Sequence, residues 1–193
     1  QLENVKGSVK FDNISFSYGN ADAISNVTLE VTPGQVIALM GAPGSGKTTL
    51  MSLLARFYDV NQGAIYVDGI DIRDASLSSL RSVIGVVQQD VFLFSATVAE
   101  NISYGYERAT MDEIIRAAKT AQIHDEILAL PDGYETVIGE RGVSLSGGQR
   151  QRLSIARTLA TDPAILILDD STSSVDAGTE SKIQSALSEV IKG

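Results

Sequence analysis

The run Gly41-Ala42-Pro43-Gly44-Ser45-Gly46-Lys47-Thr48 has the residue types and spacing of a phosphate-cradling loop, G-x-x-x-x-G-K-[ST]. Glycines let the main chain curl closely enough to aim several N–H groups at phosphate oxygens, and a helix that follows adds the positive end of its dipole. At its offset Lys47 would reach the β and γ phosphates. Thr48 would offer its hydroxyl to Mg²⁺, with Thr49 beside it in the same first turn. A flexible glycine-rich turn would not require the lysine and the threonine at these offsets. The reading is a nucleoside triphosphate site.

Two further stretches could do chemistry. Residues 164–168 are an apolar run that ends in Asp169-Asp170, and an acid at the end of a buried strand far downstream of such a loop is the usual second half of the site, with Asp169 holding Mg²⁺ through its water shell. Leu145-Ser146-Gly147-Gly148-Gln149 reads in two compatible ways. Ser-x-x-Gln is a capping box that opens a helix, and a glycine-flanked serine at a helix N-terminus is also an anion site.

The elements that would position these residues follow from periodicity. Residues 9–18 and 24–31 alternate apolar and polar around a Gly19-Asn20 break, as two antiparallel strands. Tyr18 closes the first of them, either as a ring that stacks on a base or as an ordinary strand-end tyrosine. Residues 35–40 follow a Pro-Gly break and read as the strand before the loop, and 49–57 as the helix after it. Next come a strand over 63–69 closed by an Asp-Gly turn, a short helix over 77–82 and a buried strand over 84–87. That strand delivers Gln88, Gln89 and Asp90 to its carboxyl end, where the ligand-contacting loops of open α/β sheets gather.

From 91 to about 145 helical signals replace strand signals. Thr110 and Glu113 form a capping box ahead of an apolar stripe of Ile114, Ile115, Ala118 and Ala121. Val91, Phe92, Leu93 and Phe94 are either core or a docking surface. A helix over about 149–161, the strand over 164–168 and an amphipathic helix over 177–191 restore the α/β pattern. The expected division is one domain over 1–193, with 1–90 and 150–193 as an α/β core bearing an antiparallel β lobe and 91–149 as a helical subdomain.

Composition limits the rest. With 193 residues and 44% hydrophobic content the chain can bury a core. Fifteen basic against twenty-four acidic residues give a net charge of −9, which argues against a broad nucleic-acid or anionic-membrane surface. There is no cysteine, so thiolate chemistry and disulfides are excluded, a pattern compatible with a cytosolic compartment. No apolar run approaches the roughly 18 residues of a membrane span, and the N-terminus does not read as a signal peptide. A membrane role must come through a partner or another segment.

Leu145-Ser146-Gly147-Gly148-Gln149-Arg150-Gln151-Arg152 resembles the signature of ATP-binding-cassette (ABC) proteins, and the resemblance extends over essentially the whole chain. It is nearest to the nucleotide-binding domains of exporters, through Gln89-Asp90-Val91-Phe92-Leu93-Phe94, Gly139-Glu140-Arg141-Gly142 and Ser173-Ser174-Val175-Asp176. The resemblance implies that Tyr18 stacks on adenine, that Gly41 to Thr48 hold the phosphates, that Gln89 senses Mg²⁺ and the attacking water, and that Asp169 supports the metal. It implies that Ser146, Gly147, Gly148 and Gln149 cap the γ-phosphate of an ATP held by a second nucleotide-binding domain, with Asp176 communicating between sites. ATP, Mg²⁺, that second domain and membrane-spanning domains are the implied cofactors and partners, with export across a membrane from its cytoplasmic face as the implied task; no nucleic acid is implied.

The sequence departs from the exporter pattern in three places. Asp170 stands where a glutamate usually positions or deprotonates the attacking water; its shorter side chain would hold the carboxylate about 1 Å further off, and such a misplacement costs about 10²-fold in rate. Hydrolysis at this chain's own loop is therefore expected to be slow, and the preferred reading is one half of a heterodimer with one weakened site, over a homodimer that tolerates aspartate. Val137 stands where exporters commonly carry a glutamate. The resemblance implies a switch histidine one strand after the last helix, which this sequence does not reach, so the chain is expected to be a truncated domain that lacks the family's final strands and helices; His124, in the helical stretch, is expected to be a surface or satisfied core residue. The rivals are a nucleotide-dependent clamp with little turnover, a DNA-repair ATPase, which the spacing of about a hundred residues between loop and signature disfavours because no long coiled coil intervenes, and an importer subunit, which the exporter-like segments disfavour.

Overall fold

A computed structural model describes residues 2, 4–106, 108–139, 143–169 and 175–192. The chain divides into two compact units, 1–84 and 85–193.

In the first unit the alternating segments form β1 (Val9–Tyr18) and β2 (Ala21–Val31), paired antiparallel with Phe11 opposite Leu29 and Phe16 opposite Ile24. After the loop comes α1 (Lys47–Leu54), then β3 (Gln62–Val67), β4 (Ile70–Asp71) and α2 (Leu77–Ser82). The four strands make one antiparallel sheet in the order β2-β1-β3-β4. Val9, Phe11, Ile14 and Phe16 are all buried although Ile14 breaks the two-residue period. The register shifts between Phe11 and Ile14, where Asn13 takes a positive φ of 49°, and this bulge returns Ile14 to the apolar face. Gly63 faces the bulge on β3, and a Cβ there would lie 2.4 Å from the Asp12 and Asn13 carbonyl oxygens. Only glycine fits this crossing. The expected Asp-Gly turn joins β3 to β4 with both residues at positive φ, the geometry that two-residue hairpins prefer.

Two expectations in this unit need correction. Residues 35–40 do not form a strand: they join no ladder among the described residues, and Val36 and Met40 are 71% and 93% exposed. An apolar run becomes a strand only where another backbone pairs with it, and this unit's sheet has β2 and β4 as its edges. The helix expected over 49–57 ends at Leu54. Arg56 adopts a left-handed φ of 52°, its N–H donates to Leu53 O and that of Phe57 to Ser52 O, a Schellman termination with arginine where glycine is usual.

The second unit opens at β5 (Ile84–Val87) and continues through β6 (Ala96–Thr97), α3 (Val98–Ser103), α4 (Met111–Thr120) and α5 (His124–Leu128). β7 (Val137–Ile138), α6 (Gly147–Ala160), β8 (Ile165–Leu168) and α7 (Ala177–Lys192) complete it. β5 pairs with β8, and β6 with β7. One core collects Val98 and Ile102 of α3, Ile114 and Ala118 of α4, Ile127 of α5, Leu153 and Ala156 of α6, and Ile183 and Leu187 of α7. The helix α6 is its axis, touching both α3 and α4. Gly85 allows the close approach of α6 to β5, since a Cβ there would come within 2.6 Å of the Thr158 methyl. Capping boxes open α3 (Thr97 with Glu100), α4 (Thr110 with Glu113) and α6 (Ser146 with Gln149); the second and third are those expected.

Candidate functional site

The loop 41–46 enters α1 through Gly44 and Gly46, at φ of 78° and 88°. Gly46 occupies the N-cap of α1 without any side-chain cap, and the first turn carries no acidic residue. The first N–H groups of a helix have no acceptor within it, so this end presents bare donors and a positive dipole end. A Cβ on Gly46 would lie 2.8 Å from Ala23 O and from the Ile24 side chain, so glycine also seats the loop on the start of β2. Lys47 reaches back across the loop: its Nζ donates to Gly41 O at 2.7 Å and Ala42 O at 3.0 Å and lies 3.3 Å from Ser45 Oγ. Thr48 is exposed and Thr49 half-buried in the same turn. The loop and the first turn of α1 thus carry a lysine, two threonine hydroxyls and uncapped N–H groups, donor types that suit a polyphosphate.

Tyr18 sits at the turn of the β1–β2 hairpin opposite Ala21, two residues from the Ala23 carbonyl that the loop approaches. Its ring is 45% exposed and meets Phe16 at 4.8 Å and Tyr58 at 5.2 Å, both edge to face. That cluster fixes the ring while leaving it half open. The far end of α1 is held by Arg81 of α2, whose guanidinium donates to Ala55 O and Arg56 O and lies over the Phe57 ring. A cation at a helix C-terminus satisfies otherwise orphaned carbonyls and complements the dipole. The sequence offered no local signal for it.

In the second unit Gln88, Gln89 and Asp90 are exposed just beyond β5. The Asp169 N–H donates to Val87 O at 3.0 Å, which sets the strand ends bearing Gln89 and Asp169 side by side. Asp169 is half-buried. Asp170, Glu140, Arg141, Gly142, Ser173 and Ser174 lie outside the described residues. Val175 packs against the core, and Asp176 caps α7, with Oδ1 accepting from the Thr179 N–H. These hydrogen bonds, the side-chain contact with Thr179 foremost, hold its carboxyl below the usual value.

The N-terminus of α6 is Ser146, whose Oγ accepts from the Gln149 N–H while Gln149 Oε1 accepts from the Ser146 N–H at 2.8 Å. Gly147 and Gly148 form the first turn. Further along α6, Arg157 donates from Nε to Asn101 O, from Nη1 to Phe92 O and from Nη2 to Asn101 Oδ1. Asn101 is fully buried, accepts from the Phe94 N–H and donates to Phe94 O and Thr97 O. Phe94 stacks on Tyr104 at 4.0 Å with the Arg157 guanidinium near both rings, and burial lowers the Arg157 pKa. Of the two readings of 91–94, Leu93 takes the core and Phe92 the surface. Asn101 and Arg157 are the residues that sequence reasoning missed, because partners 56 positions apart leave no local pattern. His124 is satisfied, its Nδ1 2.9 Å from the Tyr134 hydroxyl. Val137 pairs with Thr97 across β6 and β7.

The residues proposed for Mg²⁺ fit that ion chemically. Thr48 and Asp169 bring the hard oxygen donors that Mg²⁺ takes together with phosphates.

A family model described as "ABC transporter" matches residues 24–173. The chain belongs to that family. It is 49% identical to the ATP-dependent lipid A-core flippase of Syntrophus aciditrophicus (strain SB), over 100% of this chain and 32% of the flippase, and 48% identical to human ATP-binding cassette sub-family B member 6, over 96% of this chain and 22% of that protein. Among solved structures it superposes on a bacterial Atm1-family ABC exporter with ATP bound at a TM-score of 0.92 and 44% identity, covering 99% of this chain and 34% of the exporter. The fold is therefore that of the nucleotide-binding domain of an ABC exporter, a mixed α/β fold with an antiparallel β lobe. The chain spans about a third of the length of the curated relatives it matches, and no helix among the described residues is long and apolar enough to cross a membrane.

Proposed function

We propose that this chain binds ATP with Mg²⁺ and hydrolyses it as the motor of an exporter, closing on a second nucleotide-binding domain. The observation that carries the reading is the uncapped, glycine-entered N-terminus of α1 with the Lys47 ammonium held across its loop. Gly41, Ala42, Pro43, Gly44, Ser45 and Gly46 would wrap the β and γ phosphates, Lys47 would neutralise them, and Tyr18 would support the base with its exposed face. Thr48 and Asp169, with Gln89, would hold Mg²⁺, which when bound offsets the charge on the phosphates. Gln89 and Asp170 would orient the attacking water. Ser146, Gly147, Gly148 and Gln149 would meet the γ-phosphate of the partner's ATP, and Asp176 would relate the two sites. ATP bound by both domains favours the closed pair and hydrolysis releases it, moving membrane domains attached on the cytoplasmic side. Within the chain, 1–90 and 150–193 would act as the ATP-binding core and 91–149 as the helical part that answers to the membrane domains.

A second reading is favoured by one residue. Asp170 in place of glutamate points to a site that holds ATP but turns it over slowly, in a heterodimer whose other site this chain completes through Ser146 to Gln149. Loss of a positioned base costs about 10²- to 10⁴-fold. Steady-state hydrolysis by the full-length protein, alone and with its partner, compared with Asp170→Glu, tests it. A slow wild type that Asp170→Glu accelerates supports the weakened site; brisk turnover that the glutamate leaves unchanged makes this an ordinary homodimeric ATPase.

A further inference from the structure

The carboxylate of Glu126, on α5, is bound at both oxygens by α6. Gln149 Nε2 donates to Oε2 at 2.9 Å, and Arg152 Nη2 donates to Oε1 at 2.6 Å. Gln149 is also the fourth member of the Ser146 capping box, so its amide is held from two sides: Oε1 receives the Ser146 N–H and Nε2 faces a group that only accepts. The amide therefore has one orientation. Rotating it would set Oε1 against a carboxylate and Nε2 against an N–H. Glu126 and Gln149 line a small cleft with Leu145 and Leu153.

Charge supports the same arrangement. A bare carboxylate beside the N-terminus of α6 would oppose an incoming phosphate. The Arg152 side chain, only 10% exposed, compensates it through Nη2, while among the described residues its buried Nε has no hydrogen-bond partner. What this end then offers an anion is the helix dipole, the Ser146 O–H, whose oxygen already accepts from Gln149, and the first-turn N–H groups of Gly147 and Gly148.

We propose that Glu126 is a positioning residue for the signature: it fixes the Gln149 side chain in the capping box, so that the Ser146 hydroxyl and the Gly147 and Gly148 amides, rather than the Gln149 amide, meet the phosphate of the partner's ATP. This rests on the reading of Ser146 to Gln149 as a nucleotide-capping segment. Glu126 acts through Gln149 and touches no nucleotide.

The test is a double-mutant cycle on ATP hydrolysis by the full-length protein with its partner, reading KM and kcat separately. Glu126→Ala is expected to raise KM for ATP about fivefold, the size of one lost hydrogen bond, with kcat within about twofold. Gln149→Ala should do the same, and the double variant no more than either, because both remove one device. Glu126→Gln, which can still accept from Gln149 Nε2, should recover most of the loss. If Glu126→Ala fails to fold because Arg152 is left unpaired, Glu126→Ala with Arg152→Met carries the same comparison. An unchanged KM in Glu126→Ala, additive losses in the double variant, or a Gln149→Ala loss far beyond that of Glu126→Ala would overturn the proposal; the last would mean that the Gln149 amide binds nucleotide itself. Ser146→Arg separates the two levels. Undiminished turnover there sinks the underlying reading, whereas abolished turnover beside an unchanged KM in Glu126→Ala sinks this inference alone.

Discussion

At the N-terminus of α1 no side chain caps the helix, the entering residue is a left-handed glycine, and the nearest charge is a cation laid across the loop. At the N-terminus of α6 a serine and a glutamine cap each other, and a neutralised carboxylate from α5 pins the glutamine. Both ends point a helix dipole outward, yet one leaves its backbone donors to a ligand while the other satisfies part of them internally. On the proposed function the first end would wrap a triphosphate by itself, which needs uncommitted N–H groups. On the proposed function the second end would meet a nucleotide only when a second domain arrives, and internal capping would hold its shape until then.

The strongest way to break this contrast is to remove the cation at the first end. Lys47→Ala should lower hydrolysis by about 10²- to 10³-fold, as loss of one preorganised charge stabiliser does, while thermal unfolding moves little. Steady-state rates and a melting curve check both halves. Next is the anchor at the opposite, C-terminal end of α6. Asn101→Ala removes the buried oxygen that accepts from Arg157 Nη2 and from the Phe94 N–H, while Arg157 keeps Asn101 O and Phe92 O, and should cost about 2–3 kcal/mol in denaturant unfolding. Gly46→Ala sharpens the comparison, because a Cβ at 2.8 Å from Ala23 O and a φ of 88° strain the α1 entrance. About 1–3 kcal/mol of strain is expected, with weaker ATP binding by titration. Ser146→Ala, where no glycine geometry is involved, should cost about 1 kcal/mol.

The smallest effect is a pH dependence. The Asp68 carboxyl receives the N–H groups of Lys6 and Ser8, and although burial opposes this, the hydrogen bonds lower its pKa below the ordinary 3.8. A lowered native value means the unfolded chain binds the proton more readily. The stabilisation is present above about pH 3.8 and is lost as pH falls through the native value. Asp68→Asn should flatten that part of an acid-unfolding curve, measured by circular dichroism.

The two helix ends were also unequally legible in the sequence. Glycine, lysine and threonine at fixed offsets announce the first, and Ser146-x-x-Gln149 announces the cap of the second, because both depend on residues within one turn of each other. The Asp68-Gly69 turn was legible for the same reason. The bulge at Asn13 and the helix stop at Arg56 were not, since each puts a non-glycine residue in the left-handed region without a local marker. Glu126, Asn101, Arg157 and Arg81 act over more than twenty positions, where only the folded chain brings partners together. The run 35–40 misled in the opposite sense: its apolar content reads as a strand, but strand formation depends on a neighbour's backbone.

The most direct test of the account is equilibrium binding of a fluorescent ATP analogue to the full-length protein, measured with Lys47→Ala and Ser146→Arg beside the wild type, together with turnover of each. The account predicts that Lys47→Ala loses binding, whereas Ser146→Arg binds as the wild type does and loses turnover at the partner's site. Binding retained in Lys47→Ala, or lost in Ser146→Arg, would contradict the division of labour between the two helix ends.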